Sequence, residues 1–455
     1  MKQPPTIPNT PPLLRNLRMF QFLWFPLPYI EDRTKRYGDI CQTKRQNSPP
    51  SVTICNPQAI KEIFTASPEN FDVGVQNKGL NFLVGDNSLL LLDGKEHQRQ
   101  RRLLMPSFMG ECLDDYSHQI VSITEKVTDR WQLGKPFRVR PFMQEITLRV
   151  ILRVVFGLDE GERYDGLRKL LSSLLDGISS PLTSPLMFFR WLQKDWGPLS
   201  PWGRFLRLRE QVKQLLYDEI RERRDLIASG KASSRKDILS LLISAKDERG
   251  EGMTDEELHD ELITLLFAGH DTTASALVWA LYWIHNIPEV SDKLRFELDN
   301  LGADADLKEI TKLPYLDAVI SETLRIYPIA LGTFSRILKS PMSIGGYDFE
   351  PGTSLMVSIY ALHHREDLYP EPKQFRPERF LQRQYTSYEY IPFGGGSRRC
   401  LGAALAKLEM KLVIANILSR FQLALTSDRP IMPVRRGLTM APPDSLKMVL
   451  KGNGE

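Results

Sequence analysis

The stretch FGGGSRRCLG, Phe393 to Gly402, sets one cysteine among four glycines and two arginines. A helical pattern, AALAKLEMKLVIANILSRF, begins directly after it. A thiolate needs its charge compensated, and a helix N-terminus offers partial positive charge and free N–H groups. Glycines allow backbone to approach something flat and bulky. The combination suits a redox nucleophile or a metal ligand. A single cysteine without a nearby histidine or second cysteine does not suit zinc. It does suit haem iron, for which one thiolate is a sufficient protein ligand.

A second group of residues lies in AGHDTT, Ala268 to Thr273. Thr254-Asp255-Glu256-Glu257 reads as a capping box, so a helix should start there. Apolar residues continue past Ile284 to Pro288, about 33 residues or on the order of 50 Å of helix. Gly269 and two adjacent threonines are poor helix formers, and a local rule broken mid-helix marks a candidate functional site. A third pattern is Glu322 and Arg325 at i, i+3 on a helix that should begin near Pro314 and stop before Pro328. Alone it reads as a solvated surface pair.

The elements around these residues are mostly helical. Helical periodicity runs from about residue 96 to residue 328 and returns at Ala403. Strand-like material lies between Gly38 and Phe64, including SVTICNP, and again from Met342 to Leu362, with turns at Gly345-Gly346 and Pro351-Gly352. The expected fold is mainly α with a small β-sheet region. Residues 1–12 are Pro-rich and read as an extended lead-in.

The chain has 455 residues, enough for a large core, and a net charge of only +4. That charge gives no basic face for nucleic acid. Four cysteines, Cys41, Cys55, Cys112 and Cys400, make no disulfide framework and no CxxC, which fits a reducing, cytoplasmic setting. The apolar run FQFLWFPLPYI, Phe20 to Ile30, is too short to span a membrane and is broken by prolines. A packed N-terminal arm is expected, with a weak amphipathic membrane contact as the alternative.

Phe393, Gly396, Arg398, Cys400 and Gly402 match F-x-x-G-x-R-x-C-x-G, and the chain here resembles the cytochrome P-450 family. AGHDTT resembles that family's oxygen-binding groove, ETLR its E-x-x-R, and PERF, Pro377 to Phe380, the segment that supplies the third member of a structural triad. The resemblance covers about residues 30–450. It implies a single domain over 1–455, with 1–29 as an arm, no fused reductase, and haem between a long central helix and the cysteine loop of a triangular prism. Cys400 would bind the iron of haem b and Phe393 would shield the sulfur. Glu322, Arg325 and Arg379 would hold the loop. The propionates would meet Arg398, Arg336, Arg101 and His97, the last standing where the family usually has tryptophan. Asp271 and Thr272 would relay protons to dioxygen, and Gly269 would leave it space. Ala268 stands where many eukaryotic ω-hydroxylases of the related fatty-acid branch carry a haem-esterifying glutamate, so the haem should be non-covalent.

The implied activity is insertion of one oxygen atom of O2 into an apolar substrate such as a fatty acid, alkane or terpene. Candidate wall residues are Phe82, Leu83, Leu262, Leu266, Leu331 and Met440, under an aromatic lid from Ser180 to Phe205 containing Phe188, Phe189, Trp191, Trp196 and Trp202. Electrons would come from a ferredoxin and its reductase, or a flavodoxin, docking on Arg99, Arg102, Arg399 and Lys407. Two other classes compete. A haem-thiolate peroxygenase or isomerase usually lacks the acid–alcohol pair kept here. A haem-binding sensor would be expected to carry a signalling domain.

Overall fold

The computed structural model describes residues 3–7, 20–45, 48–158, 161–179, 193–197, 200–230, 235–302 and 306–453. Of the expected lid, Phe188, Phe189 and Trp191 lie outside these residues. The chain forms two compact units: Met1–Asn81 with Leu90–Gln98 and Ala318–Cys400, and Phe82–Leu89 with Arg99–Asp317 and Leu401–Glu455.

The first unit is built on a six-stranded sheet. In spatial order its strands are Thr6–Ile7, Ile40–Arg45, Ser48–Ile54, Ser354–Val357, Arg336–Leu338 and Phe71–Asp72. Ser48–Ile54 pairs antiparallel with Ile40–Arg45 and parallel with Ser354–Val357, Val52 lying opposite Leu355. Val52, Ile54, Ile60, Leu338, Leu355 and Val357 bury one core. Its face is closed by the helix Pro57–Thr65, capped by Asn56. The turn at Gly345-Gly346 joins two three-residue strands, and both glycines have positive φ, as a tight hairpin turn requires. The strand pattern ends at Val357. Ser358 then caps a short helix, Ile359–His363, where the sequence suggested more strand.

The N-terminal run also departs from expectation. It is not a packed arm: Phe20, Trp24 and Phe25 are 51%, 66% and 60% exposed, and only Pro26 and Leu27 at the start of the helix Pro26–Tyr37 are buried. The prolines that interrupt the run set a new helix start, which turns the preceding aromatics outward. No helix among the described residues is long and apolar enough to cross a membrane.

The second unit centres on the long helix Asp255–Asn286, 32 residues and unbroken. Its capping box is complete: Thr254 Oγ1 accepts from Glu257 N–H, and Glu257 accepts from Thr254 N–H at 2.9 Å. It packs against Val139–Phe156 and against Ala403–Arg420, the helix that follows the cysteine loop. A three-stranded sheet, Phe421–Leu425, Lys447–Asn453 and Pro136–Arg138, borders these helices.

Glu261 and Glu409 are among the buried carboxyls of this unit. Burial pushes Glu261 and Glu409 up to about 8. A folded state that keeps these protons above the ordinary carboxyl range binds more protons than the unfolded chain between about pH 4.5 and 8, so stability falls as pH rises through that window. Glu409→Gln should therefore raise the unfolding free energy by about 1–3 kcal/mol at pH 8 and by little near pH 4. Paired urea titrations at the two pH values check this; a gain of equal size at both would contradict it.

Candidate active site

In the first unit the residues 393–400 form a compact turn. Gly394 and Gly396 have positive φ, and Gly396–Arg398 is a single 3-10 turn. Gly394 N–H bonds to Ile391 O at 2.9 Å, Arg399 N–H to Gly396 O at 3.1 Å, and Cys400 N–H to Phe393 O at 2.9 Å. The Cys400 residue is exposed at its end. Gly395 lies so close to Phe64 that an added Cβ would sit 2.2 Å from its ring. Gly395→Ala should therefore displace the turn.

Arg336 and Arg398 flank this turn. Arg336 is buried, donates to Gly395 O at 3.2 Å, and lies over the Phe64 ring at 5.1 Å. Burial, with repulsion from Arg398, pulls its pKa down to about 10. Its hydrogen-bond acceptors are Thr333 Oγ1 and the carbonyls of Phe334 and Gly395, with no carboxylate among them. Arg398 is held by Asp93 Oδ1 at 2.6 Å and by Leu92 O. Asp93 also accepts the N–H groups of Val73 and Val75, so it ties three segments together. Asp93 stands in no motif that would mark it, since its partners lie up to 305 residues away. His97 is buried on the helix Gly94–Leu104, and Arg101, half-buried, is one turn further on.

The E-x-x-R pair is no surface pair. Glu322 and Arg325 are both 0% exposed and meet at 2.6 Å, with Arg379 at 3.1 Å from the same carboxylate. Arg325 also donates to His363 O at 2.8 Å and lies over the Tyr369 ring. His363 in turn accepts Ile391 N–H on Nε2 at 2.9 Å. Burial and the Arg325 charge hold His363 well below its usual range, so it stays a neutral acceptor. A chain of contacts thus runs from the triad through His363 to Ile391, two residues before Phe393. His363 was not legible because its role depends on a fold contact 28 residues away.

In the second unit the middle of the long helix is open on one side. Ala268 is exposed, and Gly269 and Thr272 are half-buried in a helix otherwise largely buried. Thr272 Oγ1 donates to Ala268 O at 2.5 Å. Asp271 faces elsewhere. Its Oδ1 takes a bond from buried Arg140 and one from Gln144 at 3.1 Å. Arg140 also reaches Ser275 Oγ at 3.1 Å. The acid and the alcohol are adjacent in sequence but about 100° apart around the helix, and each has other hydrogen-bond partners. An added Cβ on Gly269 would sit 3.0 Å from Ile151 Cδ1. The missing side chain therefore makes room for the neighbouring helix, a reason the sequence did not offer. His270 lies against Thr147 Oγ1 at 2.9 Å, and burial holds it down to about 4.

The expected wall residues divide. Phe82 packs its ring against Trp202 and Phe205 at 5.2 and 5.9 Å. Leu83 lines a narrow cavity in the same unit. Leu262, Leu266 and Met440 are buried and do not line it. Leu331, in the first unit, is half-buried and its carbonyl accepts Tyr360 N–H. The basic docking set changes more. Arg99 is bound by Asp247 at 2.6 Å and Glu257 at 2.9 Å, and Arg102 pairs with Glu248. Both charges are already matched within the chain. Arg399 is exposed and has no ion pair among the described residues.

The sequence profile described as Cytochrome P450 matches residues 5–448. A protein of Mycobacterium tuberculosis named as a cytochrome P450 135B1 is 35% identical over 439 residues, covering 96% of this chain and 89% of its own length. A second, named as a cytochrome P450 138, is 32% identical over 98% of this chain and 97% of its own. Neither name states a substrate. Among solved structures, the retinoic acid-bound cyanobacterial CYP120A1 superposes with a TM-score of 0.82 at 26% identity, covering 99% of both chains. A cytochrome P450DA haem domain shares the fold at a TM-score of 0.81 and 22% identity. The profile and the relatives match almost the whole chain, including the thiol-bearing turn and the long helix. The chain therefore belongs to the cytochrome P450 family, the haem-thiolate monooxygenases that hold haem b non-covalently on a cysteine thiolate and depend on redox partners and O2.

Proposed function

We propose that Cys400 is the thiolate ligand of haem b, and that the enzyme hydroxylates C–H bonds of an apolar substrate with electrons from a separate ferredoxin system. The observation that carries the ligand assignment is the exposed cysteine at the end of a turn flanked by buried Arg336. The residues fit a dianionic, flat group. Gly395 and Gly396 lie where side chains would clash with Phe64. Arg336 has no carboxylate partner among the described residues and is repelled by Arg398, so an anion there would relieve both. Arg336, Arg398, Arg101 and His97 are the candidate partners of the two propionates, and Phe393, whose carbonyl accepts Cys400 N–H, is the candidate shield of the sulfur.

The haem, when bound, supplies the activation of dioxygen and its insertion into the C–H bond. The chain's part is to position the ligand and to manage protons. Thr272 Oγ1 is the hydroxyl at the open side of the long helix. Its bond to Ala268 O orients it, and it can give that proton up and take one back. Asp271 can feed it only by turning away from Arg140 and Gln144, so those two residues set when the acid is available. Thr272→Ala should leave NADPH consumption within about threefold while most of the electrons appear as hydrogen peroxide. Measuring product and peroxide per NADPH checks this; unchanged coupling removes Thr272 from the role.

Three observations support an apolar substrate. Phe82, Trp202 and Phe205 form an aromatic group, the cavity beside them is lined mainly by apolar side chains, and the 26%-identical cyanobacterial relative holds retinoic acid. For the electron donor, Arg399 and Lys407 remain candidates. Charge reversal at Arg99 would now break its ion pairs with Asp247 and Glu257 rather than report on docking. A haem absorbance titration with fatty acids of graded length beside sesquiterpenes tests the substrate class. A spin shift that sharpens at one fatty-acid length supports fatty-acid hydroxylation; a shift with terpenes alone overturns it.

A further inference from the structure

Four side chains of alternating charge stand in a row beside the long helix: Arg436, Asp444, Arg140 and Asp271. Arg436 ends the strand Val434–Arg436, which pairs with Thr439–Ala441. Asp444 follows that hairpin, and two residues later Leu446 O accepts Val139 N–H at 3.3 Å. This contact ties the segment to the start of the helix Val139–Phe156, where Arg140 lies in the first turn. The row leads inward from solvent. The Asp444 side chain is 54% exposed, that of Arg140 3% and that of Asp271 10%.

Arg140 stands between two carboxylates and is satisfied by neither alone. Its Nη2 donates to Asp271 Oδ1 and its Nη1 to Ser275 Oγ at 3.1 Å. Its Nε is buried without a hydrogen bond among the described residues and lies 3.6 Å from Asp444 Oδ1. The other oxygen of Asp444 accepts from Arg436. Burial pulls the Arg140 pKa down, Asp271 and Asp444 push it back up, and Arg436 opposes them. A movement of about 0.7 Å would bring Nε within hydrogen-bond distance of Asp444. The same movement would draw the guanidinium off Asp271.

Releasing Asp271 with no second acid at hand would leave a buried cation uncompensated, a heavily unfavourable state. We propose that Asp444 is the alternative partner of Arg140, so that the guanidinium moves from Asp271 to Asp444 when the acid serves Thr272. Asp444 is then a positioning residue, since it acts through Arg140. Gln144, which also holds Asp271 Oδ1, is neutral and needs no such replacement. The released Asp271 takes a proton from water and passes it to Thr272 Oγ1 as that hydroxyl gives up its own. Asp271 ends ionised and takes Arg140 back. The inference rests on the acid–alcohol reading above.

Asp444→Asn keeps the size of the side chain and removes its charge. In the holoenzyme, with the acid or terpene that gives the largest spin shift, kcat should fall about fivefold or more with little change in KM. The ratio of kcat in water to kcat in heavy water should rise about twofold or more, because release of the proton carrier becomes limiting. Asp444→Glu should restore both. In an Asp271→Asn background, Asp444→Asn should change neither. A fall in kcat without a change in the isotope ratio would overturn the proposal, as would equal effects in the two backgrounds. Urea unfolding of the wild type, both single variants and the double variant supplies a readout without turnover. The double variant should lose more stability than the sum of the single losses, because Arg140 then has no carboxylate left. Additive losses would show that the two acids do not share the cation and would sink the proposal even if no tested compound is turned over. That last result with non-additive losses would count against the apolar-substrate reading and support the shared cation.

Discussion

Arg325→Met should cost the first unit about 3–5 kcal/mol and leave most of the purified protein without haem. The guanidinium is fully buried and shared between Glu322, the His363 carbonyl and the Tyr369 ring. Removing it strands the Glu322 carboxylate in a site that is 0% exposed, with Arg379 at 3.1 Å as the remaining cation. It also frees the backbone of His363, whose Nε2 fixes Ile391 and so the base of the cysteine turn. Haem loading should therefore fall further than the denaturation midpoint predicts. Urea unfolding and the haem-to-protein absorbance ratio measure the two effects. The double variant Glu322→Met with Arg325→Met should be more stable than the single one, because no uncompensated carboxylate remains. A single variant of wild-type stability and haem content would show that the triad does not hold the turn.

Cys400→Ala should have the larger chemical effect and the smaller structural one. The side chain is exposed, and the turn's backbone bonds at Gly394, Arg399 and Cys400 do not involve sulfur. The far-ultraviolet circular dichroism should be unchanged and the unfolding free energy should move by less than about 1 kcal/mol. Haem would bind weakly or not at all, the thiolate-type spectrum of the reduced carbon monoxide complex would be absent, and turnover would drop by at least about a thousandfold. Retention of that spectrum would assign the ligand to another residue.

Local patterns in the sequence were accurate guides. The capping box at Thr254 starts a helix of 32 residues where about 33 were expected, and Pro288 begins the next one. The glycines around Cys400 do shape a tight turn. What could not be read is what happens when distant segments meet. E-x-x-R spacing is compatible with a solvated pair, and only burial by segments around 363 and 374 makes it a core feature. Asp271 looked like a proton donor to its neighbour, but a helix turns consecutive residues apart, and Arg140 on another helix takes the acid. Arg99 and Arg102 looked like a free basic face until Asp247, Glu248 and Glu257 came against them.

The sheet of the first unit also has a bearing on synthesis. Ser48–Ile54 waits for its parallel neighbour Ser354–Val357, which leaves the ribosome roughly 300 residues later, or some 15–60 s at ordinary elongation rates. Through that interval the hairpin with Ile40–Arg45 presents a bare strand edge, the kind of surface that recruits other nascent chains. Pro49 and Pro50 open that strand and have no N–H to offer, so its first residues are a poor template for a stranger. Replacing them with β-branched residues would leave the finished enzyme's sheet in register, and its yield in the cell would then depend on how much help chaperones give during translation.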